Sequence, residues 1–354
     1  MKYKNILVTG GAGFVGSNIC IKLKEHYPGI QVTALDNLIR KGSELNVPRL
    51  KKYGVSFIKG DVRFKKDLKI KKVDFLIECS AEPSVMAGVT SSPEYLLDTN
   101  LMGAVNCFEL ARKANADIIF LSTSRVYPVK RLNELQYEEI ETRFTLKDSQ
   151  KILGASSKGI SEAFPLDGVR TLYGATKLSA ELLLAEYIEN YGINGVINRC
   201  GLISGPWQMG KVDQGVIVYW FAHHLFKKPL AYFGFDGKGK QVRDVLHIDD
   251  LLELLFLQIQ NIGAFNNQIY NVGGGKENSV SLLELTKLCE DITGNTVEIS
   301  IQKEDRPGDV RIYITDNSTI KNKADWKPKK SIKDTGEDIC AWMLENKQHL
   351  ENIL

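Results

Sequence analysis

Tyr173-Gly174-Ala175-Thr176-Lys177 sets a phenol and an ammonium four residues apart, on one face if the segment is helical. A lysine held against a tyrosine stabilises the phenolate and lowers its pKa from about 10, so the phenol can act as a general acid and base near neutrality. The spacing is also common by chance, and the pair needs a context. A third group comes from Phe120-Leu121-Ser122-Thr123-Ser124, an apolar run whose end delivers the Thr123 hydroxyl.

The elements that must position these groups begin at the other end of the chain. Thr9-Gly10-Gly11-Ala12-Gly13-Phe14-Val15-Gly16 follows the apolar run Ile6-Leu7-Val8 and precedes an amphipathic stretch from Phe14 to about Lys24. A glycine-rich turn between strand and helix lets backbone N–H groups and a helix N-terminus face a pyrophosphate. The spacing is Gly10-x-x-Gly13-x-x-Gly16 with an added Gly11, and glycines of this kind also mark ordinary turns. Asp36 adds weight: it closes a second strand, Gln31–Leu35, twenty residues beyond Gly16, where an acid can bond the ribose hydroxyls of an adenosine.

Further strands are expected at Val55–Ile58, Phe75–Ile77, Ile118–Leu121 and Gly195–Asn198, separated by helical periodicity at Tyr95–Lys113 and Tyr173–Tyr191. Such alternation predicts an α/β, doubly wound parallel sheet with its ligands at the carboxyl ends of the strands. Asp61, Ser80-Ala81 and the mid-helix Asn100 fall at such ends. The stretch from Lys130 to Arg170 has little periodicity and reads as an excursion over the site, a lid or a subunit contact. After Gly201 the pattern changes at Gly205-Pro206-Trp207-Gln208-Met209-Gly210. Gln241–Leu246 and Ile269–Val272 read as strands, and Ser281–Ile292 as a helix with Ser281 as N-cap. The expected domains are 1–202, with a contribution from about 240–275, for the dinucleotide, and 203–354 as a smaller substrate-binding lobe.

The bulk numbers exclude little but point one way. The chain has 354 residues, 43% apolar and 25% charged, with a net charge of +3, ordinary for a globular protein and no footprint for nucleic acid. The six cysteines, at 20, 79, 107, 200, 289 and 340, show no metal-ligand spacing and read as small apolar residues of a reducing compartment, with no metal site expected. The first strand begins so early that no signal peptide precedes it, and no apolar run reaches the ~18 residues of a membrane helix. A cytoplasmic protein without a membrane partner is the expectation.

Thr9–Gly16, the STSRVY stretch Ser122–Tyr127, YGATK at Tyr173–Lys177, and GKQVRDVLHIDD at Gly239–Asp250 resemble the extended short-chain dehydrogenase/reductase family that remodels sugar nucleotides. The resemblance continues to Asp325-Trp326-Lys327-Pro328. It implies a Rossmann-type first domain and a tightly bound NAD. Gly10, Gly13, Phe14, Val15 and Gly16 would hold the pyrophosphate, and Asp36 and Asn37 the adenosine ribose. Asp61, Val62, Ser80, Ala81 and Asn100 would complete the cofactor contacts. Tyr173 would be the acid/base, Lys177 would orient the nicotinamide ribose, and Thr123 would bond the sugar hydroxyl. Gln214, Arg243 and Arg306 would hold substrate, the two arginines on its pyrophosphate. The helices Tyr95–Lys113 and Tyr173–Tyr191 would pair in a homodimer.

Within that family, Asp36-Asn37-Leu38 with Arg40-Lys41-Gly42, Asp213-Gln214-Gly215, and Asn271-Val272-Gly273-Gly274 before Ser279–Leu285 are similar to the CDP-paratose (CDP-tyvelose) 2-epimerases. The implied activity is NAD-dependent epimerisation of a nucleotide sugar, with a CDP-sugar favoured. Asp36 argues for NAD, although Arg40 and Lys41 could accommodate a 2′-phosphate. Ser124-Arg125 stand where the 4,6-dehydratases place an Asp-Glu pair, which disfavours dehydration. Leu202 stands where the UDP-hexose 4-epimerases usually have Asn. A UDP-sugar 4-epimerase or another nucleotide-sugar oxidoreductase is the alternative; a silent dinucleotide-binding sensor is remote, because Thr123, Tyr173 and Lys177 are all present.

Overall fold

Ile6, Leu7 and Val8 are at most 1% exposed, as a strand flanked on both sides must be. The computed structural model describes residues 2–89, 91–211, 214–351 and 353–354. Strands β1 (Asn5–Thr9), β2 (Gln31–Asp36), β3 (Ser56–Lys59), β4 (Phe75–Glu78), β5 (Asp117–Thr123), β6 (Gly195–Cys200) and β7 (Gln268–Val272) form one sheet in the order β7-β6-β5-β4-β1-β2-β3. The pairs from β3 to β5 are parallel, and their register sets Thr9 beside Leu35 and Glu78, and Glu78 beside Phe120. The doubly wound sheet expected from the alternation is present.

The chain divides into two compact units. The first comprises Met1–Thr123, Leu172–Arg199 and Leu252–Ile269; the second comprises Ser124–Thr171, Cys200–Leu251 and Tyr270–Leu354. In the first, helices α1 (Phe14–His26), α2 (Gly103–Ala114) and α3 (Leu172–Tyr191) cover the sheet. Phe108 and Ala111 of α2 and Ala180, Leu184 and Ile188 of α3 close on Leu76, Ile118 and Phe120 as one core. The helix expected over Tyr95–Lys113 is interrupted: a π turn, Asp98–Met102, precedes α2. That turn contains Asn100, whose amide is bonded elsewhere, and π turns accommodate such side chains.

In the second unit, Val242–His247 pairs in parallel with Leu202–Ser204 and Ile312–Tyr313 and antiparallel with Ser279–Ser281. A separate parallel pair joins Leu230–Phe233 to Ile299–Gln302. Ser281 caps the helix Leu282–Thr293 in a capping box with Glu284, as the sequence predicts. The stretch read as an irregular excursion contains the short helix Val129–Asn133 and the antiparallel ladders Tyr137–Glu139 with Phe144–Leu146 and Ala155–Ser156 with Gly159–Ile160. Strands of two or three residues are too short for periodicity to reveal. Among the described residues, no helix is long and apolar enough to cross a membrane.

Candidate active site

The glycine turn is built by close approach. Gly10 has φ +63°, and Gly13 N–H donates to its carbonyl at 3.0 Å. A Cβ on Gly16 would lie 2.2 Å from that same carbonyl oxygen, so α1 can pack on the turn only with glycine there. Gly13 is the N-cap, no acidic side chain lies in the first turn of α1, and the N–H groups of Phe14 and Val15 occupy positions that have no acceptor within a helix. This is a donor set for a pyrophosphate. The Asp36 carboxylate accepts from Ala12 N–H at 3.1 Å and from Leu38 N–H at 2.8 Å, which fixes it beside the turn at the end of β2. Burial raises its pKa, against these backbone donors. The residues present therefore fit a dinucleotide.

The neighbouring strand ends carry the other predicted contacts. Asp61 is held by Arg63, whose Nη2 is 2.8 Å from Oδ2, and by the Asn37 amide at 3.0 Å; Val62 is buried beside it. Ser80 and Ala81 lie half-buried beyond β4. Asn100 accepts from Glu82 N–H at 2.7 Å and donates to Glu82 C=O at 3.0 Å. Its amide thus fastens the backbone that follows Ser80-Ala81.

Thr123 is buried at the end of β5, Tyr173 is half-buried in the first turn of α3, and Lys177 is only 1% exposed. The Lys177 ammonium lies 4.0 Å from the centre of the Phe120 ring and 3.5 Å from Glu78 Oε2. One turn further along α3, Glu181 accepts from the Ser122 hydroxyl and from Arg199, whose Nη2 is 2.7 Å away. Reasoning from the sequence missed Glu78 and Glu181. The signals were there: Glu78 is the charge in Phe75-Leu76-Ile77-Glu78, and Glu181 repeats the four-residue step from Tyr173 to Lys177.

The other predicted substrate residues, Gln214, Arg243 and Arg306, belong to the second unit. Arg243 donates to Val242 C=O at 2.7 Å, and Arg306 approaches Asp309 at 3.4 Å and lies 4.8 Å from the centre of the Phe233 ring. Burial, with the like charge of Arg125, pushes Arg243 down to about 9 against Asp309 and Asp244. An anion would relieve this crowding of cations. Arg306 also borders a cavity of about 260 Å³ lined by Tyr219, Trp220, Leu230 and Phe233. Gln214 pairs with Lys211 through backbone bonds of 2.7 and 3.0 Å; Asp213 lies outside the described residues. Five of the six cysteines are buried, Cys79 is half-buried, and all are unbridged.

Residues 6–273 match the profile described as the NAD dependent epimerase/dehydratase family. A CDP-paratose 2-epimerase of Salmonella typhi is 33% identical over 349 residues, covering 95% of this chain and 98% of that protein. The UDP-glucose 4-epimerase of Thermotoga maritima, solved with UDP-glucose, superposes with a TM-score of 0.76 at 25% identity, covering 97% of this chain and 99% of that one. The UDP-glucuronic acid 4-epimerase of Bacillus cereus, solved with UDP-glucuronic acid and NAD, gives 0.77 at 25% identity with the same coverage.

Proposed function

The chain belongs to the NAD dependent epimerase/dehydratase family, and from that premise we propose that it is a nucleotide-sugar epimerase that inverts C2 of a CDP-dideoxyhexose. The observation that carries the reading is the likeness to a CDP-paratose 2-epimerase over nearly the whole of both chains, with Thr123, Tyr173 and Lys177 all in place.

NAD, when bound, supplies a reversible acceptor for the hydride on the sugar carbon. The turn Gly10–Gly16 holds its pyrophosphate, Asp36 and Asn37 its adenosine ribose, and Asp61, Val62, Ser80, Ala81 and Asn100 line the rest. Thr123 bonds the reacting hydroxyl, and Tyr173, as phenolate, takes that hydroxyl's proton. Lys177 stabilises the phenolate. After the resulting ketone turns over in place, return of the hydride to its opposite face, with Tyr173 giving the proton back to the oxygen, leaves the carbon inverted. Nothing is oxidised in the net reaction, so the protein has to retain its cofactor throughout. Arg243 and Arg306 hold the substrate's diphosphate, with Gln214 as a further substrate contact, and the aromatic cavity beside Arg306 takes the nucleoside.

A homodimer fits the apolar side chains left exposed on the helices named for pairing: Leu97 and Met102 before α2, and Leu182 and Tyr191 on α3, are 38%, 50%, 65% and 51% exposed. The unbridged cysteines support a cytoplasmic site. The alternative, a UDP-sugar 4-epimerase, is favoured by the two neighbours solved with UDP-sugars.

The test is to denature the purified protein and quantify released nucleotide, then to offer it a panel of CDP- and UDP-sugars without added cofactor. Stoichiometric NAD and inversion of the CDP-sugar support the proposal. Released NAD with inversion only of a UDP-sugar selects the alternative, and a protein with no affinity for NAD overturns both.

A further inference from the structure

Glu78 is a charged residue where a buried strand calls for an apolar one. It is 1% exposed, and its two carboxylate oxygens have different surroundings. Oε1 accepts from Ser80 N–H at 2.9 Å and from the Ser80 hydroxyl. Oε2 makes no hydrogen bond and faces the Lys177 ammonium at 3.5 Å. The Phe120 ring lies against the ammonium on another side, its centre 4.0 Å away.

One turn further along α3, the charge of Glu181 is paired with that of Arg199 at 2.7 Å, and the other groups set against Glu78 and Lys177 are neutral. Thr9 stands beside Glu78 in register on β1, and Phe120 does so on β5. From α2, the Cys107 thiol faces the pair; burial and then the Glu78 charge push its titration far above the ordinary range, so it stays a neutral thiol. Tyr173 stands one turn before Lys177 on α3 itself.

We propose that Glu78 is a positioning residue for the reaction: anchored by Ser80, it holds the Lys177 ammonium charged in a site that excludes water, so that Lys177 can in turn keep Tyr173 ionisable. The inference rests on the reading of Tyr173 as the acid/base. An ammonium buried with no counter-charge sheds its proton, and an uncharged Lys177 no longer stabilises the phenolate. Removing the carboxylate also removes a negative charge near Tyr173, which acts in the opposite sense. The loss of Lys177's charge prevails because Lys177 adjoins Tyr173 on the helix face, four residues on.

The experiment reads Tyr173 directly and needs no substrate. The NAD-loaded protein and its Glu78→Gln and Glu78→Asp variants are titrated at 295 nm, each against the same protein carrying Tyr173→Phe, so that the difference isolates one phenol. In the wild type this transition falls below the ordinary tyrosine value of about 10. Glu78→Gln, which keeps the Ser80 bonds, moves it up by about one unit. Glu78→Asp, with its carboxylate drawn back, gives a smaller shift in the same direction and serves alone if Glu78→Gln does not fold. A transition in the variants that is unchanged or lower overturns the inference alone. A wild-type transition at the ordinary value overturns the acid/base reading and this inference with it.

Discussion

Glu181 and Arg199 form a fully buried ion pair, with Arg199 Nη2 2.7 Å from Glu181 Oε2 and both side chains at most 4% exposed. The pair ties α3, one turn beyond Lys177, to β6, and the Ser122 hydroxyl adds β5 next to Thr123. The two elements that carry the three proposed catalytic residues thus share one anchor. Glu181→Gln leaves Arg199 as an uncompensated buried charge, and the expected cost is about 3–5 kcal/mol, read by denaturant unfolding. Replacing both partners, as in Glu181→Leu with Arg199→Met, should recover much of that stability but not kcat, because leucine cannot accept from the Ser122 hydroxyl.

Gly16→Ala places a methyl 2.2 Å from the Gly10 carbonyl oxygen, where backbone has to move. The expected result is protein purified with little or no bound NAD and a stability loss of about 1–3 kcal/mol. A Cβ on Gly29 meets nothing within 4 Å, so Gly29→Ala is the matched control and should retain cofactor. Nucleotide released on denaturation distinguishes the two.

In the proposed cofactor site Asp36 is a half-buried carboxylate in the place that the 2′-phosphate of NADP would take. Asp36→Ala should weaken NAD binding and shift the NADP-to-NAD preference by roughly tenfold or more toward NADP, with Arg40 and Lys41 close by in the chain. Competitive binding of the two dinucleotides to stripped protein measures it.

The pH dependence of stability has an identifiable contributor in the second unit. His223 Nδ1 lies 2.7 Å from Pro229 C=O, and its ring centre lies 4.0 Å from that of Tyr219. Burial lowers its pKa, against the Pro229 hydrogen bond. The unfolded chain therefore takes up the proton first, near the ordinary value of about 6.5. Its contribution is fully present above that pH and is lost as pH falls toward the folded value. Thermal unfolding should show a lower Tm at pH 5.5 than at pH 8, with a smaller difference in His223→Gln. His247, shifted the same way by burial, leaves part of the slope.

The glycine turn, Asp36 and the Tyr173–Lys177 pair are legible in the sequence because each is a local pattern: a tight turn, a strand end, one helical step. The capping box at Ser281 is legible for the same reason. What escapes is made by residues distant in the chain. Glu78 reads as an ordinary strand-end acid until the fold sets it against Lys177, and Glu181 as a helix-surface acid until Arg199 faces it. Likewise the 124–171 segment is woven into the second unit through bonds such as Tyr127 to Asn271 at 2.8 Å and Thr142 to Glu284 at 2.7 Å, partnerships that no short window of sequence contains.

The central claim is inversion of a sugar carbon by removal and return of the same hydrogen. It is tested most directly with CDP-paratose carrying deuterium at C2, incubated with the purified protein in ordinary water and followed by NMR. The account predicts the C2-inverted product with its deuterium retained and with no added cofactor consumed. No inversion, or inversion with the deuterium exchanged for solvent hydrogen, would contradict it.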